Sequence, residues 1–118
     1  MRSLLGGTLA IALAVAAHGE TFEATAYSDH GKTVSGHATR PGVVAADPNV
    51  LPLGTRIRIA GAGPYSGEYV VRDTGRQVGG RTLDIFVADA RAAKRFGRKQ
   101  VEVSVLQRGD GRATGARR

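Results

Sequence analysis

The sequence predicts a mainly β domain, a small closed barrel of about six short strands with one short helix. Short segments of alternating or β-branched residues recur along the chain, and turn residues separate them. The 118 residues include 17 glycines, whereas 42% of the residues are apolar. This combination indicates many tight turns around a packed core rather than disorder. Because the chain has no cysteine, the fold must depend on that core without disulfides.

The first two predicted strands differ in pattern. The segment from Thr21 to Tyr27 alternates polar and apolar residues, and Val43 to Ala46 is a short apolar strand that ends at a turn. Later strands are expected at 56–60, 68–73, 81–87 and 101–106, with a loop at 29–41, a turn at 51–55 and a hairpin loop at 61–67. Arginine alternates with isoleucine in the strand at 56–60, so we expect one exposed face there.

A single short helix is predicted after the strand at 81–87. Asp89 is a favourable N-cap, Ala90 to Phe96 is helix-forming, and Gly97 suits the position after the last turn. The side chains expected to face a sheet are those of Ala92, Ala93 and Phe96. One helix and about six strands favour a barrel.

The two ends of the chain differ from its middle. Residues 1–16 have the pattern of a signal peptide: Arg2, an uncharged apolar stretch, and Ala14-Val15-Ala16 as a cleavage site. The stretch is shorter than the roughly 20 residues of a membrane-spanning helix. An uncleaved anchor or a buried N-terminal helix is the alternative. We therefore expect a barrel domain at 21–107 and a disordered basic tail at 108–118. We also expect a periplasmic or secreted, wall-associated protein that has no stable membrane anchor after cleavage.

The chain is strongly basic, with a formal net charge of +7. Loss of Arg2 with the signal peptide would leave +6. Such a charge favours anionic partners. For an exported protein the bacterial cell wall, with its peptide carboxylates, is a better candidate than nucleic acid, which we do not expect as a partner. Solubility alone is the simpler explanation of the charge.

Several apparent ligand-binding motifs are incomplete, so we expect no cofactor and no metal. Gly31-Lys32-Thr33 resembles the end of a phosphate-binding loop, but Ala26 stands where its first glycine belongs and no helix follows. The histidines, His18, His30 and His37, match no zinc-binding spacing and are expected to be solvated. The aspartates lack the regular spacing of a calcium loop.

Three aspartates, Asp47, Asp73 and Asp84, lie in strands or at strand ends, although aspartate is disfavoured in strands. Asp47 precedes Pro48 and Asp73 precedes Thr74, so both can be explained as residues that cap turns. Asp84 has no turn signal on either side. A buried carboxylate costs several kcal/mol unless it is protonated or well hydrogen-bonded. Asp84 is therefore the strongest candidate for a functional residue.

Strand alternation predicts the surroundings of Asp84. Its side chain should share a face with those of Thr82 and Phe86 and point away from those of Leu83 and Ile85. Apolar neighbours and a nearby carboxylate raise the pKa of a carboxyl group. A carboxylic acid that stays protonated near neutral pH can protonate the leaving oxygen of a glycosidic bond.

A series of short motifs supports this interpretation. In order they are Ala24-Thr25-Ala26-Tyr27, Gly31-Lys32-Thr33 with Gly36, Ala45-Ala46-Asp47-Pro48, Leu51-Pro52-Leu53-Gly54-Thr55, Val71-Arg72-Asp73-Thr74-Gly75, Gly80 and Leu83-Asp84-Ile85-Phe86. The series, which continues through Phe96-Gly97 to Leu106, resembles the 3D (three-aspartate) domain family over about residues 22–106. Any one of these motifs alone would be weak, but their order is specific.

The resemblance implies a double-psi β-barrel, similar to that of membrane-bound lytic murein transglycosylases and more distantly to expansin-like barrels. It implies an exported peptidoglycan lytic transglycosylase that cleaves the MurNAc–GlcNAc β-1,4 bond with a 1,6-anhydro product. Asp84 would be the general acid and base, Asp73 would keep it protonated or stabilise positive charge on the sugar, and Asp47 would support them. The residues expected to contact substrate are Thr25, Tyr27, Thr33, Thr74 and Gly75.

Two alternatives to that activity remain. Nothing in these residues supplies the second domain that completes the groove of the large transglycosylases, and Arg76-Gln77 interrupt the small residues usual after Asp-Thr-Gly. The first alternative is a non-catalytic module that binds or loosens peptidoglycan. An unidentified wall-synthesis or wall-remodelling protein is a possible partner of the domain. The second alternative is an inverting hydrolase, with Asp73 or Asp47 as base at roughly 6.5–9.5 Å from Asp84.

Overall fold

The computed structural model of the chain describes residues 19–29, 36, 39–74 and 78–112. The predictions made for the signal peptide, the three histidines, Gly31 to Thr33, Gly75 and Arg76-Gln77 lie outside the described residues. Within the described ranges, no helix is both long enough and apolar enough to cross a membrane.

The described residues form six strands and one α-helix, as predicted. The strands are β1 (Glu20–Tyr27), β2 (Val43–Ala46), β3 (Arg56–Ala60), β4 (Gly67–Asp73), β5 (Thr82–Phe86) and β6 (Lys99–Gln107), and the helix is α1 (Ala90–Phe96). β6 begins two residues earlier than expected. A 3₁₀ turn at Gly63–Tyr65, inside the predicted hairpin loop, was not foreseen. Pro64 favours this turn because its ring fixes φ in the helical range.

The strands close into a barrel in the order β1-β5-β2-β4-β3-β6. Among the described strands, β1 pairs with β5 and β2 with β4 in parallel, whereas the other neighbours are antiparallel. The connection from β1 to β2 therefore passes β5, and the connection from β4 to β5 passes β2. These two parallel pairs with crossing connections confirm the predicted six-stranded double-psi barrel.

The core fills the inside of the barrel with the apolar residues of each alternating strand. Ile57 and Ile59 of β3 are fully buried. Arg56 and Arg58, which alternate with them, are exposed and form ion pairs with Glu68. This confirms that β3 has one exposed face. The other largest fully buried side chains are those of Leu83, Ile85, Val44 and Val71.

Helix α1 covers the barrel beside β1. The Asp89 side chain accepts a hydrogen bond from the Arg91 N–H at 3.0 Å, so Asp89 is the N-cap that was predicted. Gly97 ends the helix with a φ of +66°, a conformation that favours glycine. Ala93 and Phe96 are buried and Ala92 is partly buried against the core, as expected from their spacing.

Residues 108–112 lie against the turn between β2 and β3. The Gly109 N–H donates to the Thr55 hydroxyl, and the Gly111 N–H donates to the Leu53 carbonyl, both at 3.0 Å. A Cβ atom at Gly109 would collide with the backbone of Leu53 to Thr55, so this contact requires glycine. Residues 113–118 lie outside the described residues, and the disordered basic tail stays a prediction.

Candidate functional site

One row of residues crosses four neighbouring strands on the outer face of the barrel. In the strand registers, Thr25 of β1 is opposite Asp84 of β5, Asp84 is opposite Ala45 of β2, and Ala45 is opposite Asp73 of β4. Residues that are directly opposite in paired strands point to the same side of a sheet. The row therefore places two of the three candidate aspartates on one face, with the small Ala45 side chain between them.

A β-bulge in β4 brings Asp73 onto this face. Val44 is opposite Val71, but the next residue of β2, Ala45, is opposite Asp73, so Arg72 is the extra residue of β4. Val71 is fully buried. Strict alternation from Val71 would direct Asp73 into the core as well. The bulge turns its carboxylate outward instead, as bulges beside functional sites do.

Asp84 is half-buried in the middle of β5. Leu83 and Ile85 on either side point into the core, which confirms the predicted alternation. The Thr25 hydroxyl donates to Asp84 Oδ1 at 3.0 Å. Burial raises the pKa of Asp84, the hydrogen bond from Thr25 partly opposes this, and the negative charge of Asp29 raises it further.

The residue Asp29 was not singled out from the sequence. It lies just beyond the end of β1 and is exposed. Nothing in its local sequence distinguishes it from other loop aspartates, because only the closed barrel brings the end of β1 beside β5. The suggestion that Asp73 keeps Asp84 protonated remains a prediction.

Tyr27, the last residue of β1, lies among the acidic groups. Its ring packs edge-on against Phe86, with centroids 5.5 Å apart. Burial first, and then the charges of Asp73, Asp84 and Asp29, raise the pKa of Tyr27 to about 12. Its hydroxyl is buried and has no hydrogen-bond partner among the described residues. Buried hydroxyl groups normally have a partner, so this one is an exception among the described residues.

Asp47 is occupied by backbone contacts. Its Oδ1 atom accepts from the Asn49 N–H at 2.9 Å, and its Oδ2 atom accepts from the Gly80 N–H at 2.8 Å. The hydrogen bonds from Gly80 and Asn49 lower the pKa of Asp47. Asp47 thus joins the turn after β2 to the residues before β5, which agrees with its interpretation as a turn-capping residue.

Asp73 also has a turn-capping contact, because its Oδ1 atom accepts from the Thr74 N–H at 2.9 Å. Thr74 follows β4 directly and is partly buried. The structure therefore places Thr25, Tyr27, Asp73, Thr74 and Asp84 in one region of the outer face, whereas Thr33 and Gly75 lie outside the described residues.

A cleft of about 210 Å³ opens beside Asp84. It is lined by Glu23, Thr25, Val78, Thr82, Leu83, Asp84 and Arg98. Arg98 is an unpredicted member of the lining and forms an ion pair with Glu23 at 3.1 Å. Tyr27, Asp47 and Asp73 do not line the cleft. No cluster of metal-ligating side chains is found among the residues that the structure describes.

A comparison with protein families identifies the family of this chain. A family model described as "3D domain" matches residues 42–107, more than half of the chain. The chain belongs to the 3D domain family. The match to this family includes Asp47, Asp73 and Asp84.

This 3D domain is similar to parts of two longer proteins of Bacillus subtilis (strain 168). It is 33% identical over 95 residues to the "Putative cell wall shaping protein YabE" and 36% identical over 96 residues to the "Cell wall-binding protein YocH". Each match covers 73% of this chain, but only 22% of YabE and 32% of YocH. The chain thus spans a third or less of the length of these relatives.

Solved structures share the fold at low sequence identity. MltA from Escherichia coli, described as having a unique lytic transglycosylase fold, has a TM-score of 0.55 and is 21% identical, covering 69% of this chain and 28% of MltA. An expansin from Clavibacter michiganensis, solved in complex with cellohexaose, has a TM-score of 0.57 and is 17% identical, covering 76% of this chain and 51% of the expansin. These similarities show a common barrel.

Proposed function

We propose that this 3D domain is an exported peptidoglycan lytic transglycosylase in which Asp84 is the general acid and base. The observation that carries the proposal is the position of Asp84, half-buried within a strand, beside a cleft and hydrogen-bonded by Thr25. Its raised pKa favours the protonated form that a glycosidic leaving oxygen requires. The named relatives support an extracytoplasmic, peptidoglycan-related role.

The reaction needs one carboxyl group in two steps. Protonated Asp84 gives its proton to the oxygen between MurNAc C1 and GlcNAc C4, and the C1–O bond breaks. The Asp84 carboxylate then takes the proton of the MurNAc C6 hydroxyl, whose oxygen bonds to C1. The product carries a 1,6-anhydro ring, Asp84 is protonated again, and no water is consumed.

The neighbouring residues have supporting roles in this proposal. Asp73, on the same face, stabilises the positive charge that develops on the sugar ring as the C1–O bond breaks. Tyr27 contacts the glycan, and Thr25 orients the Asp84 carboxyl group through its hydrogen bond. Thr33, Thr74 and Gly75 remain predicted substrate contacts. Asp47 supports the site by holding Gly80 and the start of β5 in place.

The test is to incubate purified sacculi with the wild-type domain and with Asp84→Asn. Asparagine keeps the shape of the side chain and the acceptor for Thr25 but has no proton to transfer. We expect 1,6-anhydro-muropeptides, detected by mass spectrometry, from the wild type only. Asp110→Asn, in the segment after β6, is the matched control and should release as much product as wild type. Equal release by Asp84→Asn, or no release by wild type, would refute the proposal.

A non-catalytic wall-binding role is the second candidate. It is supported by the volume of the Asp84 cleft, about 210 Å³, which is below the roughly 300–1,000 Å³ of most small-molecule sites. The named cell wall-binding relative YocH points the same way. This role predicts that the wild-type domain and the Asp84→Asn variant pellet with sacculi to the same extent. It also predicts that salt weakens pelleting and that no product is released. Any turnover excludes it.

The same assay separates an inverting hydrolase from a transglycosylase. Asp73 and Asp84 lie on strands that are two steps apart, or roughly 10 Å at the usual strand spacing. A water activated by Asp73 would leave reducing-end muropeptides, which are heavier by one water than the anhydro products. The ratio of the two masses distinguishes the reactions.

A further inference from the structure

A second concave surface, here called the helix groove, lies between α1 and the 3₁₀ turn. Its volume is about 280 Å³. The residues that line it include Pro64, Tyr65, Ala92, Arg95, Phe96 and Lys99. The helix groove shares no lining residue with the Asp84 cleft, so it is a separate site.

The floor of the helix groove is apolar. The rings of Tyr65 and Phe96 pack edge to face with centroids 5.8 Å apart, and Ala92 is partly buried beside them. A single methyl group at Ala92 leaves the space that a larger helix residue would fill. The floor therefore suits small apolar groups such as methyl side chains.

The rim of the helix groove is cationic. Lys99 Nζ lies 4.9 Å from the centroid of the Phe96 ring, which holds the ammonium group over the floor. Arg95 provides a second exposed positive charge. Neither cation is in an ion pair with a described acidic residue, and none of the described residues that line the groove is acidic. An anionic group on a small apolar ligand complements this lining.

The helix groove adjoins the Asp84 cleft along the chain. Arg98 lines the cleft, whereas Lys99, the next residue, lines the groove. Consecutive Cα atoms are about 3.8 Å apart, so the side chains of Arg98 and Lys99 start from neighbouring backbone positions.

We propose that the helix groove binds the peptide stem of peptidoglycan, with alanine methyl groups on its apolar floor and the terminal carboxylate between Arg95 and Lys99. This inference rests on the proposed function, because it takes the glycan in the cleft to be peptidoglycan. A polyol-phosphate wall polymer would satisfy the cations but would leave the Tyr65 and Phe96 surface without an apolar partner.

The test is a titration of the chain with a synthetic stem peptide that ends in D-Ala-D-Ala, monitored by NMR at the backbone amides of α1 and of Lys99. We expect shifts at Ala92, Phe96 and Lys99. The same peptide with an amidated C-terminus should bind about fivefold to tenfold more weakly, since partly exposed ion pairs contribute modestly. Equal binding of both peptides would overturn the proposal.

Variants separate the charge from the cavity. The double variant Arg95→Gln/Lys99→Gln should lose the preference for the free carboxylate, whereas Arg91→Gln, on the same helix but outside the groove, should keep it. Ala92→Leu should weaken the binding of both peptides, because the larger side chain fills the space above the floor without changing the charge. If both groove variants bind like wild type, or if polyglycerol phosphate displaces the peptide at lower concentration, the groove has been assigned the wrong ligand.

The outcome is distinguishable from that of the proposed activity. Asp84→Asn should bind the stem peptide as wild type does, because Asp84 is not in the groove. Absence of anhydro products with intact peptide binding would refute only the transglycosylase proposal. Release of anhydro products without peptide binding would refute only the groove proposal.

Discussion

Asp84 of β5 and Asp73 of β4 lie on the same outer face of the barrel, on opposite sides of Ala45 in the strand between them. The two carboxyl groups are not equivalent. Burial raises the pKa of Asp84, whereas Asp73 at the strand end accepts a hydrogen bond from the Thr74 N–H. The proposed function gives the two groups different roles, with Asp84 as the general acid and Asp73 as the group that stabilises charge on the sugar.

The raised pKa of Asp84 predicts a pH-dependent cost in stability. The folded state binds the proton more tightly than the unfolded state, whose pKa is near 3.8, so stability falls as the pH rises through the folded value. Asp84→Asn should therefore raise the free energy of unfolding at pH 7, by less than about 1 kcal/mol because solvent screens this half-exposed group. At pH 3 the gain should vanish. A gain that is constant with pH would contradict the assignment.

Two substitutions should move the pKa of Asp84 in opposite directions. Thr25→Val removes the hydrogen bond that stabilises the carboxylate and should raise the pKa. Asp29→Asn removes a nearby negative charge and should lower it. The Asp84 carboxyl carbon, followed by NMR over pH, reports both shifts directly. The high-pH limb of activity should move with them, and shifts of the same sign in both variants would disprove this account.

Removal of the Tyr27 hydroxyl should weaken glycan binding without lowering the stability of the fold. Since the buried hydroxyl has no described partner, Tyr27→Phe should leave the free energy of unfolding unchanged or raise it by about 1 kcal/mol. Loss of one hydrogen bond to ligand should weaken glycan binding about twofold to tenfold. Tyr27→Ala, the comparison variant, should also lose stability because it removes the ring contact with Phe86. A destabilised Tyr27→Phe would show that the hydroxyl is used within the protein.

The bulge at Arg72 can be tested by deleting that residue. Without it, regular alternation from the buried Val71 would direct Asp73 into the core, and burial of the carboxylate away from its present contacts should cost roughly 3–5 kcal/mol of stability. Arg72→Ala keeps the bulge and should change stability little. Combining the deletion with Asp73→Val should recover most of the loss, measured by chemical denaturation. If the deletion alone is harmless, the bulge does not determine the direction of Asp73.

Asp47 should act through the backbone rather than on substrate. Its lowered pKa means that its stabilising contribution is present above pH 3.8 and is lost as the pH falls through the folded value. Asp47→Ala should therefore lower stability at pH 7 but not in strong acid, and should speed hydrogen exchange at the Gly80 amide. Asp47→Asn should lower stability less than Asp47→Ala, since it keeps one acceptor oxygen for one of the two backbone N–H groups. Unchanged exchange at Gly80 would exclude this role.

Local patterns in the sequence contain most of the secondary structure. β2, β3 and α1 have the predicted bounds, because alternation, N-cap chemistry and helix-ending glycine act within a few residues of each other. Asp84 stood out for the same reason, as an acidic residue inside an apolar strand without a turn nearby.

The rest of the site depends on contacts between distant parts of the chain. The row from Thr25 to Asp73 exists because of strand registers across four strands, and the direction of Asp73 depends on a bulge that no local pattern marks. Asp29, Arg98 and the free Tyr27 hydroxyl become relevant only when the barrel closes around them. The amino-acid sequence alone determined which segments are strands and which acid is out of place. Only the tertiary structure decided which groups surround that acid, because side-chain alternation is a local property and strand pairing is not.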